Sequence, residues 1–184
     1  MEELAILEEE KRKKKANITV RQMQIDDVAP VFHLGERLFT AKVPNLFRTW
    51  DEYEVINFFQ NDSESCLVAE DGDDETDGII GFVLGTTVTK NHSAWKYGYL
   101  VWLGVDPAFH ESGVASRLFK RFSDLMLAEG ARMLLVDSEA DNLPALQFFR
   151  KMGFGRPQEH IFLTLNLDSL RQKRNGRHKN GNGD

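Results

Sequence analysis

The sequence predicts an α/β domain in which helices flank a mixed β-sheet. Strand-like runs alternate with segments of helical periodicity, and the 184 residues are 41% hydrophobic and 28% charged, as in ordinary globular domains. A chain of this size can bury one sizeable core. Cys66 is the single cysteine, which excludes an internal disulfide and a multi-cysteine metal site.

The predicted elements follow one another in the order β-α-α-β-β-β-α-β-α-β-β, with one strand or two in the last segment. In chain order they span 17–23, 25–39, 49–61, 65–71, 78–88, 94–105, 112–131, 132–139, 142–152 and 153–167. The second and third strands form a hairpin through the acidic turn between them. That turn lacks the glycine and the final glutamate of a calcium-binding loop, so we predict no metal site.

Acidic and hydroxyl residues mark the starts of the first two helices. Asp26 and Asp27 lie near the positive end of the first helix. Thr49, with Glu52 three residues later, forms a capping-box pattern at the start of the second. Such residues satisfy backbone N–H groups that a helix leaves unpaired.

Glycine marks the ends of the last two helices. Gly130 closes the helix over 112–131, and Gly153 lies just past the helix over 142–152, for which Asn142 is the predicted N-cap. The apolar face of the first of these helices consists of Val114, Leu118, Phe122, Leu125 and Met126.

Both termini differ in composition from the segment between them. Residues 1–16 indicate a charged helical extension with net charge zero, and residues 168–184 a basic, disordered tail of net charge +3. The segment 17–167 therefore has a net charge of −9, whereas the whole chain has a net charge of −6. The negative charge argues against a nucleic-acid groove in this segment, although the basic tail leaves RNA binding as a weaker alternative. With no signal-peptide pattern and no apolar run near the ~20 residues of a membrane span, we expect a cytoplasmic protein without membrane binding.

The stretch 100–119 contains a turn that can bind an anion. A hydrophobic strand ends at Val105, Pro107 forces a turn, and a strong helix opens beyond Gly113. A helix start presents unpaired N–H groups and the positive end of the helix dipole, and the small residues Gly113 and Ala115 let a phosphate approach them. The same residues would also let the helix pack close to the sheet, and the sequence alone leaves both alternatives open.

In their order along the chain, this stretch and the stretch 137–154 resemble the acetyl-CoA-binding signatures of the GNAT N-acetyltransferase superfamily. The residues that match the first signature are Val105, Pro107, His110, Gly113 and Ala115. The residues that match the second are Asn142, Ala145, Phe149, Gly153 and Phe154. The element order also matches, so the resemblance covers about residues 18–167 and implies a central splayed sheet.

The resemblance implies acetyl-CoA as the co-substrate, bound without a metal. Leu103, Gly104 and Val105 would pair with the pantetheine arm like an added strand. Asn142 would contact the pantetheine, and Phe149 would line the thioester end. The residues implied around the pyrophosphate are His110, Glu111, Ser112, Gly113, Val114, Ala115 and Ser116.

Two residues depart from the family pattern. The family usually has Arg or Gln where His110 stands, but the phosphate site is mostly backbone, so we expect binding to persist. It often has Tyr where Phe149 stands, as the acid that protonates the departing CoA thiolate, and Phe149 has no ionisable group. This second departure motivates an alternative, a non-catalytic acyl-CoA-binding sensor or interaction module.

The catalytic groups are the least determined part of the predicted site. An amine must be neutral to attack a thioester, so a base or a water chain is required nearby. Glu139 is the candidate base, and strand alternation would place Asp137 on the same face. Tyr99, on the long strand, is a candidate acid or orienting residue. A surface or capping role is the alternative for Glu139.

The segment 38–54 lies where GNAT proteins shape the acceptor pocket. Arg48, Trp50 and Tyr53 are the candidates for substrate binding, with Arg48 able to bind a carboxylate through two parallel hydrogen bonds. The alternative is that the aromatic residues pack the helix pair.

These expectations describe an acetyl-CoA-dependent N-acetyltransferase that transfers an acetyl group to a primary amine by direct attack in a ternary complex. Proximity and polarisation of the thioester carbonyl would supply most of the rate. A small-molecule amine and a protein amine both stay open as acceptors, and a homodimer stays open as the assembly.

Overall fold

The computed structural model describes residues 17–39, 50–72, 78–89 and 95–158, together with residues 161, 165, 167, 168 and 171. Its strands and helices are β1 (Ile18–Gln22), α1 (Val28–Leu38), α2 (Glu52–Asn61), β2 (Leu67–Asp71), β3 (Ile79–Thr89), β4 (Lys96–Val105), α3 (Val114–Ala128), β5 (Met133–Val136) and α4 (Leu143–Lys151). This order confirms the predicted α/β class and the predicted succession of elements through the helix over 142–152.

The described strands form one sheet in the order β1-β2-β3-β4-β5. Neighbouring strands from β1 to β4 pair antiparallel, whereas β4 and β5 pair parallel. A parallel pair needs a crossover connection, and α3 supplies it. The chain divides into two compact units, Met1–Ser138, which contains this sheet with α1 to α3, and Glu139–Asp184, which contains α4.

One face of the sheet is covered by α3, which packs closely because glycines leave room beneath it. A Cβ on Gly85 would lie 2.4 Å from Cε2 of Phe122, and a Cβ on Gly98 would lie 2.6 Å from Cγ of Met126. Real Cβ atoms do not approach that closely, so the helix position depends on the missing methyl groups. The predicted apolar face is confirmed, with Val114, Leu118, Phe122 and Met126 buried and Leu125 half-buried.

The opposite face is covered by α1 and α2 around an aromatic core. Phe82 and Leu84 of β3 pack there with buried residues of both helices, and the Trp50 and Trp102 rings meet at right angles with centroids 5.1 Å apart. Both indole N–H groups have partners, because Trp50 donates to the Phe32 carbonyl at 3.0 Å and Trp102 donates to a carboxylate of α2 at 2.9 Å.

A β-bulge at Val101 changes which face of β4 looks toward α3. Leu84 pairs with Trp102 but Gly85 pairs with Leu100, so Val101 is the extra residue of β4. Gly98 therefore faces α3, while both Val101 and Trp102 pack into the aromatic core on the other face. Simple alternation would have put Gly98 and Trp102 on the same face.

The predicted ends of the last two helices are confirmed. Gly130 and Gly153 both have positive φ values, 79° and 100°, which glycine adopts without a Cβ clash. Beyond Gly130 the Ala131 N–H donates to the Met126 carbonyl at 2.9 Å, which is the closing bond of a Schellman motif.

The start of α2 differs from the prediction. The helix begins at Glu52, and its N-cap is Asp51, whose carboxylate accepts from the Glu54 N–H at 2.8 Å. Thr49 as N-cap was therefore wrong, and Thr49 itself lies outside the described residues. Threonine and aspartate are both good N-cap residues, and Asp51 lies two residues closer to the helix than Thr49.

Asp27 supports the start of α1 through an ion pair rather than through the helix dipole alone. Its carboxylate accepts from Arg21 at 2.5 and 2.8 Å and from the Gln24 N–H at 2.7 Å, and Arg21 also pairs with Glu70. Burial raises the pKa of Asp27, but these bonds outweigh it and lower the pKa below its ordinary value. The pair therefore stabilises the fold above the pKa of unfolded aspartate, and this contribution is lost as pH falls through the lowered pKa.

The C-terminal part of the prediction is only partly covered. Residues 154–158 form no regular element, and most of the rest of 153–167 lies outside the described residues, so the last strand or two stays a prediction. The extension 1–16 lies outside them as well, and so does the tail apart from Asp168 and Arg171.

We expect Gly85→Ala to lower the free energy of unfolding by about 1–3 kcal/mol, because the added methyl group collides with the Phe122 ring and with the Tyr99 carbonyl oxygen at 2.9 Å. Urea unfolding followed by circular dichroism measures the change. Gly155→Ala is the matched control, since nothing lies within 4 Å of a Cβ there. Equal stability of the two variants would show that α3 does not depend on the glycine.

Candidate active site

β4 extends beyond the end of β5, and in the described part of the chain no strand pairs with that edge of its C-terminal half. β5 pairs with β4 along Tyr97–Leu100, whereas β4 continues to Val105 and pairs with β3 on its other side along that length. The predicted residues Leu103, Gly104 and Val105 lie on this part of β4. Backbone groups on an open strand edge can bind an extended ligand as an added strand. We call this opening the fork.

The turn that follows β4 leads directly into the N-terminus of α3. Asp106 caps the short 3-10 helix Pro107–Phe109 by accepting from the Ala108 N–H at 2.9 Å. Gly113 is the N-cap of α3 and has a φ of 86°, in the left-handed region that favours glycine. The first N–H groups of α3 have no carbonyl partner within the helix, so the turn presents donors to an anion. We call residues 110–116 the cradle.

The cradle offers an anion mostly backbone groups. The Ser112 hydroxyl donates to the Phe109 carbonyl at 2.5 Å, which turns it inward to the loop. His110 and Glu111 are exposed, and Glu111 has a φ of 67°. Val114 is buried against the sheet, while Ala115 and Ser116 are half-buried in the first turn of α3.

Two candidate catalytic residues meet at the fork. The Tyr99 hydroxyl donates to Asp137 Oδ1 at 2.5 Å, and both residues are half-buried. Tyr99 lies next to Leu100, where the pairing of β4 with β5 ends, and Asp137 follows Val136, the last residue of β5. The bond therefore links β4 to the residue that follows β5, at the point where the pairing of the two strands ends.

Strand alternation predicted that Glu139 and Asp137 would lie on the same face of a strand, and this prediction was wrong. β5 ends at Val136, so the pleat that alternation requires does not reach either carboxylate. Glu139 begins the second unit, where its carbonyl accepts from the Asn142 N–H at 3.0 Å and its side chain is exposed. Its role as a base stays a prediction.

Within the second unit, Asn142 and Phe149 have structural contacts. Asn142 is confirmed as the N-cap of α4, since its side chain accepts from the Ala145 N–H at 3.3 Å. Phe149 is buried, and its ring lies 5.3 Å from that of Phe148 and 5.4 Å from that of Phe154. Contacts of either residue with acetyl-CoA stay predictions.

The candidate acceptor residues have different environments. Trp50 packs in the aromatic core, so close to α1 that a Cβ on Gly35 would lie 2.0 Å from its ring. The structure thus shows that Trp50 packs the helix pair, and a role for Trp50 in acceptor binding stays a prediction. Tyr53 on α2 is 73% exposed, and Arg48 lies outside the described residues.

Sequence reasoning did not find Glu54. This half-buried carboxylate of α2 accepts from Trp102 Nε1 at 2.9 Å, so it lies beside the part of β4 that extends past β5. A tryptophan in a buried strand needs a partner for its N–H, which was the available signal. That signal does not say which of the many acidic residues supplies the partner.

The described residues hold no group of three or more His, Cys, Asp or Glu side chains that could bind a metal ion. Cavities of about 70 and 160 Å³ lie along the C-terminal half of α3, away from the cradle at its start. Among the helices in the described part of the chain, none is long and apolar enough to cross a membrane.

Cys66 is buried in the first unit and is not a nucleophile. Burial, together with the charge of Asp62, raises the pKa of its thiol to about 12. Its Sγ donates to the Asp62 carbonyl at 3.4 Å. Because the thiolate is the reactive form, this residue cannot carry an acyl group near neutral pH.

Comparison with known proteins gives a family and several relatives. A family model described as Acetyltransferase (GNAT) family matches residues 35–154. N-alpha-acetyltransferase 30 of Schizosaccharomyces pombe is 30% identical over 112 residues, which are 61% of this chain and 71% of the relative. Human N-alpha-acetyltransferase 30 is 23% identical over 130 residues, and the chain spans only 34% of its length.

Solved structures share the fold. The NatC complex bound to Gag peptide and CoA superposes with a TM-score of 0.65 at 22% identity, over 77% of this chain and 87% of that one. An aminoglycoside acetyltransferase from an uncultured soil metagenomic sample, in complex with trehalose, also superposes with a TM-score of 0.65. Its identity is 18%, over 82% of this chain and 98% of that one. Both confirm the predicted mixed sheet flanked by helices.

We expect the Cys66 thiol to resist Ellman's reagent at pH 8 in the native protein and to react at once after unfolding in guanidinium chloride. The raised pKa keeps the thiol protonated at this pH, and burial blocks access. Absorbance of the released thionitrobenzoate measures the reaction. Fast stoichiometric labelling of the folded chain would contradict the buried, protonated state.

Proposed function

The chain belongs to the acetyltransferase (GNAT) family, and from this premise we propose that it transfers the acetyl group of acetyl-CoA directly to a primary amine in a ternary complex. The observation that carries the proposal is the succession of the fork and the cradle along one strand and the next helix. An open strand edge suits an extended amide-containing arm, and a helix start suits a pyrophosphate.

The chemistry of the residues fits acetyl-CoA. Leu103 to Val105 would pair with the amides of the pantetheine arm along the fork. The N–H groups of the cradle would bind the pyrophosphate, and the missing Cβ of Gly113 would let its oxygens reach them. A metal ion is not required for this binding, because the donors are backbone groups and the helix dipole.

The Tyr99–Asp137 pair is the best candidate for handling the amine proton. The amine nitrogen attacks the thioester carbonyl, the C–S bond breaks, and the CoA thiolate leaves while one amine proton passes to a base. The bond from Tyr99 at 2.5 Å, which Asp137 accepts at the fork, supports this carboxylate as the one that receives the proton. Tyr99 then orients the carboxylate, and Glu139 stays a second candidate base.

An acid role for Tyr99 fits the geometry less well. If its hydroxyl gave a proton to the thiolate, a phenolate would lie beside the Asp137 carboxylate at the 2.5 Å contact. Two negative charges at that distance oppose each other strongly in a half-buried site. The bond therefore supports Tyr99 as an orienting residue.

For the acceptor, we favour the α-amine of a protein N-terminus. The support is the Schizosaccharomyces pombe relative at 30% identity, whose name denotes an N-alpha-acetyltransferase. A small polyamine is the second candidate, because an aminoglycoside acetyltransferase shares the fold. The non-catalytic acyl-CoA sensor stays the alternative to an enzyme, since Phe149 cannot act as the usual acid.

One assay separates these possibilities. Purified protein is incubated with acetyl-CoA and, in parallel, with short peptides that have free N-termini and with aminoglycosides, and the release of free CoA thiol is followed. Turnover with peptides supports the favoured acceptor. Binding of acetyl-CoA without turnover on any amine supports the sensor, and absence of binding rejects the proposal.

We expect Gly113→Glu to abolish CoA binding in calorimetric titration, because the side chain fills the cradle and repels phosphate. Gly113 has a φ of 86°, so any side chain there also strains the turn. Gly113→Ala is the matched control for that strain and should retain measurable binding. Unchanged CoA affinity in the glutamate variant would reject the cradle as the phosphate site.

We expect Asp137→Asn to lower kcat about 10²–10⁴-fold, as for a lost general base. Tyr99→Phe should lower kcat less, because it removes only the orienting bond. Initial rates at saturating acetyl-CoA measure both.

Tyr97→Phe provides the control, since Tyr97 lies two residues earlier on the same strand and stacks on Trp95. A wild-type kcat in Asp137→Asn would exclude that carboxylate and leave Glu139 or water as the base.

A further inference from the structure

The conformation of Glu111 is unfavourable for its residue type. Its φ of 67° makes it the one non-glycine residue with positive φ in the described part of the chain. The left-handed region brings Cβ close to the next carbonyl oxygen, and glycine avoids this clash. The turn therefore holds a glutamate where the backbone favours glycine.

The charge of Glu111 is unfavourable as well. Between Asp106 and Ser116 the acidic side chains are Asp106 and Glu111, and Asp106 is paired with Arg37 at 3.3 Å. Basic residues begin only at Arg117, whose Nη1 donates to the Ile18 carbonyl at 2.8 Å. The segment that would receive a pyrophosphate thus carries an exposed carboxylate two residues before the N-cap of α3.

We propose that Glu111 limits the affinity of the cradle for CoA. The inference rests on the proposed function, because it needs the cradle to bind the pyrophosphate. The carboxylate repels the phosphates, and the strained turn holds it in the loop that they approach. The backbone donors and the helix dipole bind against this repulsion.

Two variants separate charge from conformation. Glu111→Gln keeps the side-chain size and the strain but removes the charge, whereas Glu111→Gly removes both. In calorimetric titration with CoA at 20 mM salt, we expect Glu111→Gln to lower Kd about 3- to 10-fold. Glu111→Gly should bind at least as tightly, and its melting temperature should rise as the strain is relieved.

Salt provides the second measurement. Screening weakens the repulsion, so the ratio of wild-type to Glu111→Gln affinity should shrink toward one at 500 mM salt. Asp124→Asn, an exposed charge removal in the middle of α3, is the matched control and should leave Kd unchanged at both salt concentrations.

The outcomes are distinct. If the wild-type chain and both variants fail to bind CoA, the proposed function fails. If the wild type binds and Glu111→Gln has the same Kd at low salt, or a higher one, Glu111 does not limit affinity. A gain that persists unchanged at 500 mM salt would also overturn the electrostatic account.

Discussion

The close approach of α3 to the sheet is the constraint on which the candidate site depends. Gly81 and Gly85 of β3 and Gly98 of β4 lie beneath the helix, and side chains there would overlap its buried residues. With the helix held at this distance, its first turn follows the end of β4 after a turn of only eight residues, 106–113. In the described structure, the part of β4 beyond β5 and the first N–H groups of the helix thus belong to one continuous segment of chain.

A second constraint is the bulge at Val101, which coincides with the fork. The residue before it, Leu100, is the last in β4 to pair with β5, and the residue after it, Trp102, is turned into the aromatic core. An extra residue of this kind increases the local twist of its strand, and here it lies directly after the last residue of β4 that pairs with β5. The catalytic candidate Tyr99 precedes the bulge and the pantetheine candidates follow it, so one insertion separates the reacting end of the site from the binding end.

Much of the fold could be predicted because local signals agreed with it. The face of α3 and the caps at Asn142, Gly130 and Gly153 follow from periodicity and backbone chemistry that short segments carry by themselves. What could not be predicted are contacts between residues distant in sequence: the bond from Tyr99 to Asp137 spans 38 positions and that from Trp102 to Glu54 spans 48. Alternation failed for Asp137 and Glu139 because the predicted strand, 132–139, has eight residues, whereas β5 has four and ends before both carboxylates. The end of β5 is decided by its pairing with β4, which local sequence does not show.

The absence of an ionisable group at Phe149 shifts the chemical requirement from the leaving group to the nucleophile. Ordinary thiols have a pKa near ~8.5, so the CoA thiolate is a fair leaving group at neutral pH without a dedicated acid, whereas an alkyl ammonium, with a pKa near ~10 or, for an α-amine, near ~8, must lose a proton before it attacks. Removing the proton from the amine is the harder of the two requirements. A site that lacks the acid but holds a carboxylate at the fork would meet it. The bond from Tyr99 holds the Asp137 carboxylate in one orientation at the point where the pairing of β4 and β5 ends. We therefore propose that acetyl transfer by this chain depends on a base at the fork rather than on an acid at position 149.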